Sequence, residues 1–212
     1  MPPFDLMWAY LLAILVLTLT PGVDTLVVVR NTARGGVHEG AFTSLGVCSG
    51  LFIHATLSAV GISLILVQTA WAFTLLKWAG AAYLVWLGLS SLFQAARRAP
   101  GLSITATGNS APSRLGQPFR EGLLSNVLNP KTALFYMAFL PQFIDPAGSA
   151  LGQSMVLAGM HFVMAMAWQC GLALVVARGR GFVMKPRLLR LMHGLTGGVF
   201  VALGARLAIT QP

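Results

Sequence analysis

The chain has 212 residues, of which 56% are hydrophobic and 9% charged, and its mean hydropathy is +0.77. Soluble domains carry about 25% charged residues, so an ordinary water-facing surface is excluded and the composition is that of a membrane protein. The net charge of +9 would by itself suit nucleic acid, but the bases lie in connections between apolar runs rather than on one basic face.

A membrane-crossing helix needs about 20 mostly apolar residues. The N-terminal MPPFDLMWAY holds an acid and no base, unlike a signal peptide's positive leader, so the first run is expected to be a retained span. That span, residues 5–29, contains LTLTPGVDTLVVV, in which Pro21, Gly22 and Asp24 interrupt the hydrocarbon character. Proline removes a helical hydrogen bond, glycine loosens the backbone, and a carboxylate is costly in a bilayer. A helix break that lines a cavity is predicted there, with Asp24 holding a cation or carrying a proton.

The second span, 40–67, carries Cys48, His54 and the GxxxG pair Gly46 and Gly50, whose expected role is close helix packing. The third is expected at 71–94. The stretch 95–118, rich in Pro, Gly, Ser and Arg, reads as a flexible linker. The fourth span, 120–144, repeats the interruption at Asn129-Pro130, with Asn126 lining the break and Lys131 supplying a charge opposite to that of Asp24. The two charges are expected to approach one cavity and to neutralise each other, directly or through water. The fifth span, 151–176, holds His161 and Cys170, and the sixth lies at 191–209. His54 and His161 are candidates either for a proton relay or for hydrogen-bonded core residues. Trp8, Trp71 and Trp78 are placed at the outer interface.

Eleven bases follow spans one, three and five: Arg30, Arg34, Arg97, Arg98, Arg114, Arg120, Arg178, Arg180, Lys185, Arg187 and Arg190. Lys77 and Arg206 stand on the other side. The asymmetry puts those three connections in the cytoplasm and both termini outside. The predicted fold is therefore an all-α integral membrane protein forming one transmembrane domain over 1–212. Its six transmembrane helices make two inverted three-helix repeats, about 5–94 and 119–210, each with its first helix broken at a proline. The halves echo each other faintly, as in YLVWLGL from Tyr83 and VFVALGA from Val199. Inverted repeats with broken helices at the midplane are a plan of secondary transporters.

No enzymatic constellation, metal cluster or cofactor motif emerges, and the cysteines have neither metal nor redox spacing. Two rival readings share the six-span plan. A transmembrane thiol-redox carrier needs a reactive cysteine pair, and a metal-ion exporter needs clustered His, Cys or carboxylate ligands.

The stretches LTPGVDTLVVVRNTARGGVHEGAFTSLGVCSG, AGAAYLVWLG and GLLSNVLNPKTALFYMAFLPQFID, in that order, resemble the LysE/RhtB family of amino-acid exporters over nearly the whole chain. The family usually has a second proline where this chain has Val23. The resemblance implies export of amino acids or derivatives such as homoserine lactones from a bacterial cytoplasm across the plasma membrane. It also implies coupling to the proton-motive force. A homodimer is a candidate assembly. Carried over residue by residue, the family's motif falls on Pro21, Gly22, Asp24, Asn129, Pro130 and Lys131.

Overall fold

The computed structural model describes residues 4–68, 70–97, 102–105, 116–178, 181–184 and 186–209. Arg98, Arg114, Arg180 and Lys185 lie outside the described residues, as do the side chains of Trp71 and Lys77. The elements run α1 (Phe4–Leu19), α2 (Val23–Gln68), α3 (Ala70–Ala96), β1 (Leu102–Thr105), α4 (Gly116–Val127), α5 (Pro130–Phe139), a 3-10 turn (Leu140–Phe143), α6 (Ala150–Arg178), β2 (Gly181–Met184) and α7 (Pro186–Ile209).

Both expected breaks are present. α1 stops at Leu19 because the residue before a proline is driven out of the helical region, and α2 starts past Pro21-Gly22. α4 stops at Val127, and Pro130 opens α5 in the first helical position, where its missing N–H costs nothing. Among the described residues, four stretches are long and apolar enough to cross a bilayer, in α2, α3, α6 and α7. The proline breaks divide the expected first and fourth spans into shorter pieces.

α2 is not one straight rod. Gly35 and Gly36 leave helical geometry, Gly36 at φ 74° and ψ −168°, which side chains rarely adopt. Asn31 and Thr43 would stand about 18 Å apart on a straight helix, yet the Asn31 amide donates to the Thr43 hydroxyl at 2.9 Å. The chain therefore folds back at the two glycines, giving arms 23–34 and 37–68. The expected boundary between spans one and two falls at this turn.

α2 packs on α4 and α6, and α3 packs on α7. Glycines set how closely. A Cβ on Gly46 would stand 2.0 Å from the Phe119 carbonyl oxygen, and one on Gly122 would stand 2.1 Å from that of Thr43. The α3–α7 seam is reciprocal: Gly88 sits against the Gly197 carbonyl and Val201, while Gly204 sits against the Ala81 carbonyl and Val85. With Gly88 aligned to Gly204, as the sequence echo has it, each contact maps onto the other. Gly122→Ala should therefore force α2 and α4 apart and lower the monodisperse fraction after detergent extraction. Gly171→Ala on α6, whose Cβ would meet nothing within 4 Å, should leave that fraction unchanged. Equal yields of the two variants would refute the packing account.

β1 pairs antiparallel with β2, Leu102 opposite Met184 and Thr105 opposite Gly181. The 95–118 stretch, expected to be a flexible linker, thus contributes a strand, because its extended LSIT finds a partner in the connection after α6. The pairing also puts the connections after α3 and α6 together. Arg97 and Arg190 share a cavity there, whereas Arg206 lies beside Ala9 and Phe143 near the start of α1. Apolar side chains face outward along the helices, among them Leu12, Leu57, Trp86, Val163 and Leu195. Such a surface suits hydrocarbon rather than water.

Candidate functional site

Each proline strips one carbonyl of its helical donor, since the N–H four residues on is missing. Pro21 does this to Leu17, whose carbonyl oxygen lies 3.5 Å from the Lys131 ammonium. Pro130 does it to Asn126, whose carbonyl accepts from the Asn129 N–H and from His54 Nε2, both at 3.0 Å. The first break is thus satisfied from α5, and the second from α2 and the break itself. His54, buried and bound to a backbone oxygen, holds the second break in place and does not line the cavity.

Asp24, in the first turn of α2, reaches across to the other break. Its Oδ1 accepts from Ser125 at 2.7 Å, and its Oδ2 accepts from the amides of Asn126 at 2.9 Å and Asn129 at 3.1 Å. Asn129 in turn caps α5, its Oδ1 accepting from the Lys131 N–H at 3.0 Å. The direct form of the expected neutralisation of Asp24 by Lys131 is absent: no ion pair within 4 Å joins them among the described residues, and neutral donors occupy the Asp24 oxygens.

The two charges nevertheless line one cavity of about 50 Å³, together with Leu17, Thr18, Gly22, Asn126, Asn129, His161 and Gln169. A water needs roughly 10–15 Å³ by this measure, so the space holds a few waters or a small polar head group. First turns of two helices, α2 at Asp24 and Thr25 and α5 at Lys131 and Thr132, border it. Helix N-termini carry partial positive charge and unpaired N–H groups that suit an anion. The last turn of α1, with the opposite sign, borders it at Leu17.

His161, buried on α6, has one ring nitrogen 3.1 Å from the Thr18 hydroxyl and the other 3.0 Å from the Tyr136 hydroxyl. Tyr136 neighbours Tyr10, whose hydroxyl donates to the Leu157 carbonyl at 2.8 Å. Of the two histidine candidates, only His161 touches the cavity. Thr20, inside the first break, meets the Thr196 hydroxyl of α7.

Sequence reasoning passed over Ser125, Gln169, Tyr136 and an ionic cluster that joins both arms of α2 to α4. There Arg30 pairs with Glu121 at 2.6 Å, Arg34 with Glu39 at 2.9 Å, and Asn31 donates to Glu121 at 2.9 Å. A signal was available: the chain has only five acidic residues, and Glu39 and Glu121 are two of them. Cys48 and Cys170 are free thiols. Among the described residues no group of three His, Cys, Asp or Glu side chains is assembled.

Residues 15–211 match the family model described as LysE type translocator. The homoserine/homoserine lactone efflux protein of Salmonella typhimurium is 34% identical over 206 residues, covering 97% of each chain. The leucine efflux protein of Salmonella choleraesuis is 30% identical over 216 residues, covering 96% of this chain and 95% of its own. An uncharacterized membrane protein of Bacillus subtilis is 30% identical over 205 residues, 95% of this chain and 98% of its own. No solved structure matches the chain.

Proposed function

The chain belongs to the LysE type translocator family, and from that premise we propose that it is a proton-coupled exporter of amino acids or close derivatives across the bacterial plasma membrane. The observation that carries the reading is the cavity where both helix breaks meet, with Asp24 on one wall and Lys131 on another. A zwitterion has the matching charges. Its carboxylate suits Lys131 and the two helix N-termini, and its ammonium suits the negative side at Asp24. Homoserine, its lactone and leucine, the compounds named for the relatives, share an α-amino group, while the lactone has no carboxylate.

The six-span plan with two inverted repeats supports this reading. Span one is α1 with the 23–34 arm, span two is the 37–68 arm, and span four is α4 with α5. Reciprocal glycine contacts between α3 and α7 and paired proline breaks are what a two-fold relation between the halves would produce. The Arg30, Arg34, Glu39 and Glu121 cluster ties both arms of α2 to α4 on the arginine-rich side. We read it as closing the cytoplasmic path in this conformation. His161, Tyr136 and Tyr10 form a chain of titratable or hydroxyl groups leading from the cavity toward the start of α1, a route for the coupling proton.

Two measurements test the proposal. Reporters fused after residues 105 and 183 should report cytoplasm, and fusions at 147 and at the C-terminus should report the outside. A cytoplasmic C-terminus would dismantle the inverted-repeat plan. Cells loaded with a peptide mixture should release particular free amino acids faster when the protein is expressed, and an uncoupler should abolish the gain. Release that ignores uncoupler but follows a sodium gradient would overturn the proton coupling. Unchanged release of every amino acid would overturn the export reading itself.

A further inference from the structure

Another cavity, of about 190 Å³, opens between the end of α3 and the start of α7, lined by Gln94, Arg97, Pro186, Leu189, Arg190 and His193. Two guanidinium groups converge on it from different helices. The Arg97 head lies over the Phe93 ring at 4.2 Å, and Arg190 Nε donates to the Pro186 carbonyl at 3.4 Å, so each is steered by its own helix. The first turn of α7, the positive end of a 24-residue helix, borders the same space. The chain supplies no anion to meet these groups. It has five acidic residues in all. Asp24 is held by Ser125, Asn126 and Asn129, Glu39 and Glu121 pair with Arg34 and Arg30, and Asp145 accepts from the Ala147 N–H. Asp5 belongs to the first turn of α1, at the end of the bundle where Arg206 lies. Among the described residues no carboxylate stands within 4 Å of Arg97 or Arg190.

Beside the cavity the surface turns apolar. Trp86, Leu89, Phe93 and Arg97 recur at helical spacing and so share one face of α3, where the three apolar side chains are each more than half exposed. Leu188, Leu191 and Leu195 make a similar exposed strip on α7. Positive charge at this end is what membrane orientation asks for, but orientation needs neither a cavity nor arginines converging from two helices. We propose that the cavity seats the phosphate of an anionic phospholipid, with Arg97 and Arg190 as its donors and an acyl chain along Trp86, Leu89 and Phe93. Guanidinium forks match phosphate oxygens, and basic pockets between membrane helices recognise acidic head groups. Phosphatidylethanolamine offers the same phosphate but brings an ammonium, for which the cavity has no carboxylate. Phosphatidylglycerol brings only hydroxyls, which Gln94 and His193 are suited to meet. This cavity shares no lining residue with the one at Asp24 and Lys131, so the proposal stands whatever the protein exports.

The test uses the full-length protein in detergent, titrated with phosphatidylglycerol or phosphatidylethanolamine of identical acyl chains and read by native mass spectrometry. The wild type should bind phosphatidylglycerol the more tightly, by roughly fivefold or more. Arg97→Gln and Arg190→Gln should each weaken phosphatidylglycerol binding by roughly fivefold, the loss of one base at a membrane surface, and so remove most of the preference. Arg120→Gln, an exposed position on α4 that lines neither cavity, should leave both affinities unchanged. Phosphatidylglycerol should also raise the wild-type thermal midpoint by mass action, and inorganic phosphate at the same concentration should not.

Equal affinity of the wild type for the two lipids would overturn the proposal, and that comparison needs no variant to fold. Losses from Arg120→Gln as large as those from Arg97→Gln would reduce the attraction to the diffuse charge of this end, and the cavity would have no part in it. If inorganic phosphate raises the wild-type midpoint as far as phosphatidylglycerol does, and Arg190→Gln abolishes both effects, the cavity takes a free anion and the lipid assignment is wrong.

Discussion

Asp24→Asn should reduce export to the level of cells lacking the protein and lower the yield of folded chain. The carboxylate accepts three hydrogen bonds, from Ser125, Asn126 and Asn129, and so bridges the first turn of α2 to both sides of the break between α4 and α5. An amide has one oxygen and one NH₂. With its NH₂ toward Asn126 and Asn129 it meets two donors, and with its NH₂ toward Ser125 it needs that hydroxyl to turn and accept, so at least one of the three charge-assisted bonds is lost. Hydrogen bonds to a charged group contribute about 1.5–3 kcal/mol each, so losing one or two costs a few kcal/mol. The negative charge that suits a substrate ammonium is lost as well. Ser125→Ala removes a single donor and should cost export no more than about tenfold, with folding preserved. Counterflow in vesicles, normalised to the folded fraction from size-exclusion chromatography, separates the two effects. Wild-type transport by Asp24→Asn would remove Asp24 from the site.

Both helix breaks were legible in the sequence because their cause is covalent and local. Pro21 and Pro130 forbid the helical hydrogen bond wherever they occur, and Asn129 before Pro130 announces a cap. The turn between the arms of α2 was also within reach, since Gly35-Gly36 beside Arg30 and Arg34 marks a polar reversal. The partners of Asp24 were not legible. They depend on how closely α4 approaches α2, which Gly46 and Gly122 decide by meeting backbone from the opposite helix. Charge alone paired Asp24 with Lys131, but the structure gives Asp24 to neutral donors, because only a fold can say that two asparagines and a serine stand nearer. The histidines show the same boundary. His54 and His161 both sit in apolar runs, and nothing in a run says which face meets a cavity and which meets the carbonyl that Pro130 set free.

Lys131 should show the opposite stability signature from Asp24: Lys131→Met should abolish export while leaving the protein as stable or more so. The ammonium lies in the first turn of α5, against the positive end of the helix dipole, where a cation is disfavoured. Its one hydrogen bond among the described residues is the 3.5 Å contact to the Leu17 carbonyl, and no carboxylate stands within 4 Å. A charge held there by one long hydrogen bond and the more distant Asp24 carboxylate is a cost to the empty protein, tempered by its access to the cavity, and an arriving carboxylate would offset it. Methionine keeps the length and apolar stem without the charge. Its thermal midpoint should therefore match or exceed that of the wild type by a few degrees, where 1 kcal/mol corresponds to roughly 2–4 °C at this chain length. The carried amino acid, at saturating concentration, should raise the wild-type midpoint by mass action and leave that of Lys131→Met unmoved. Lys131→Arg retains the charge but places a larger planar head in a cavity of about 50 Å³, so export should fall sharply there too. A lower midpoint for Lys131→Met would make Lys131 a structural residue whose contact with Leu17 holds the first break closed. Export by that variant at the wild-type rate would mean that the substrate carboxylate is received elsewhere, and the site would have to be redrawn around the helix N-termini alone.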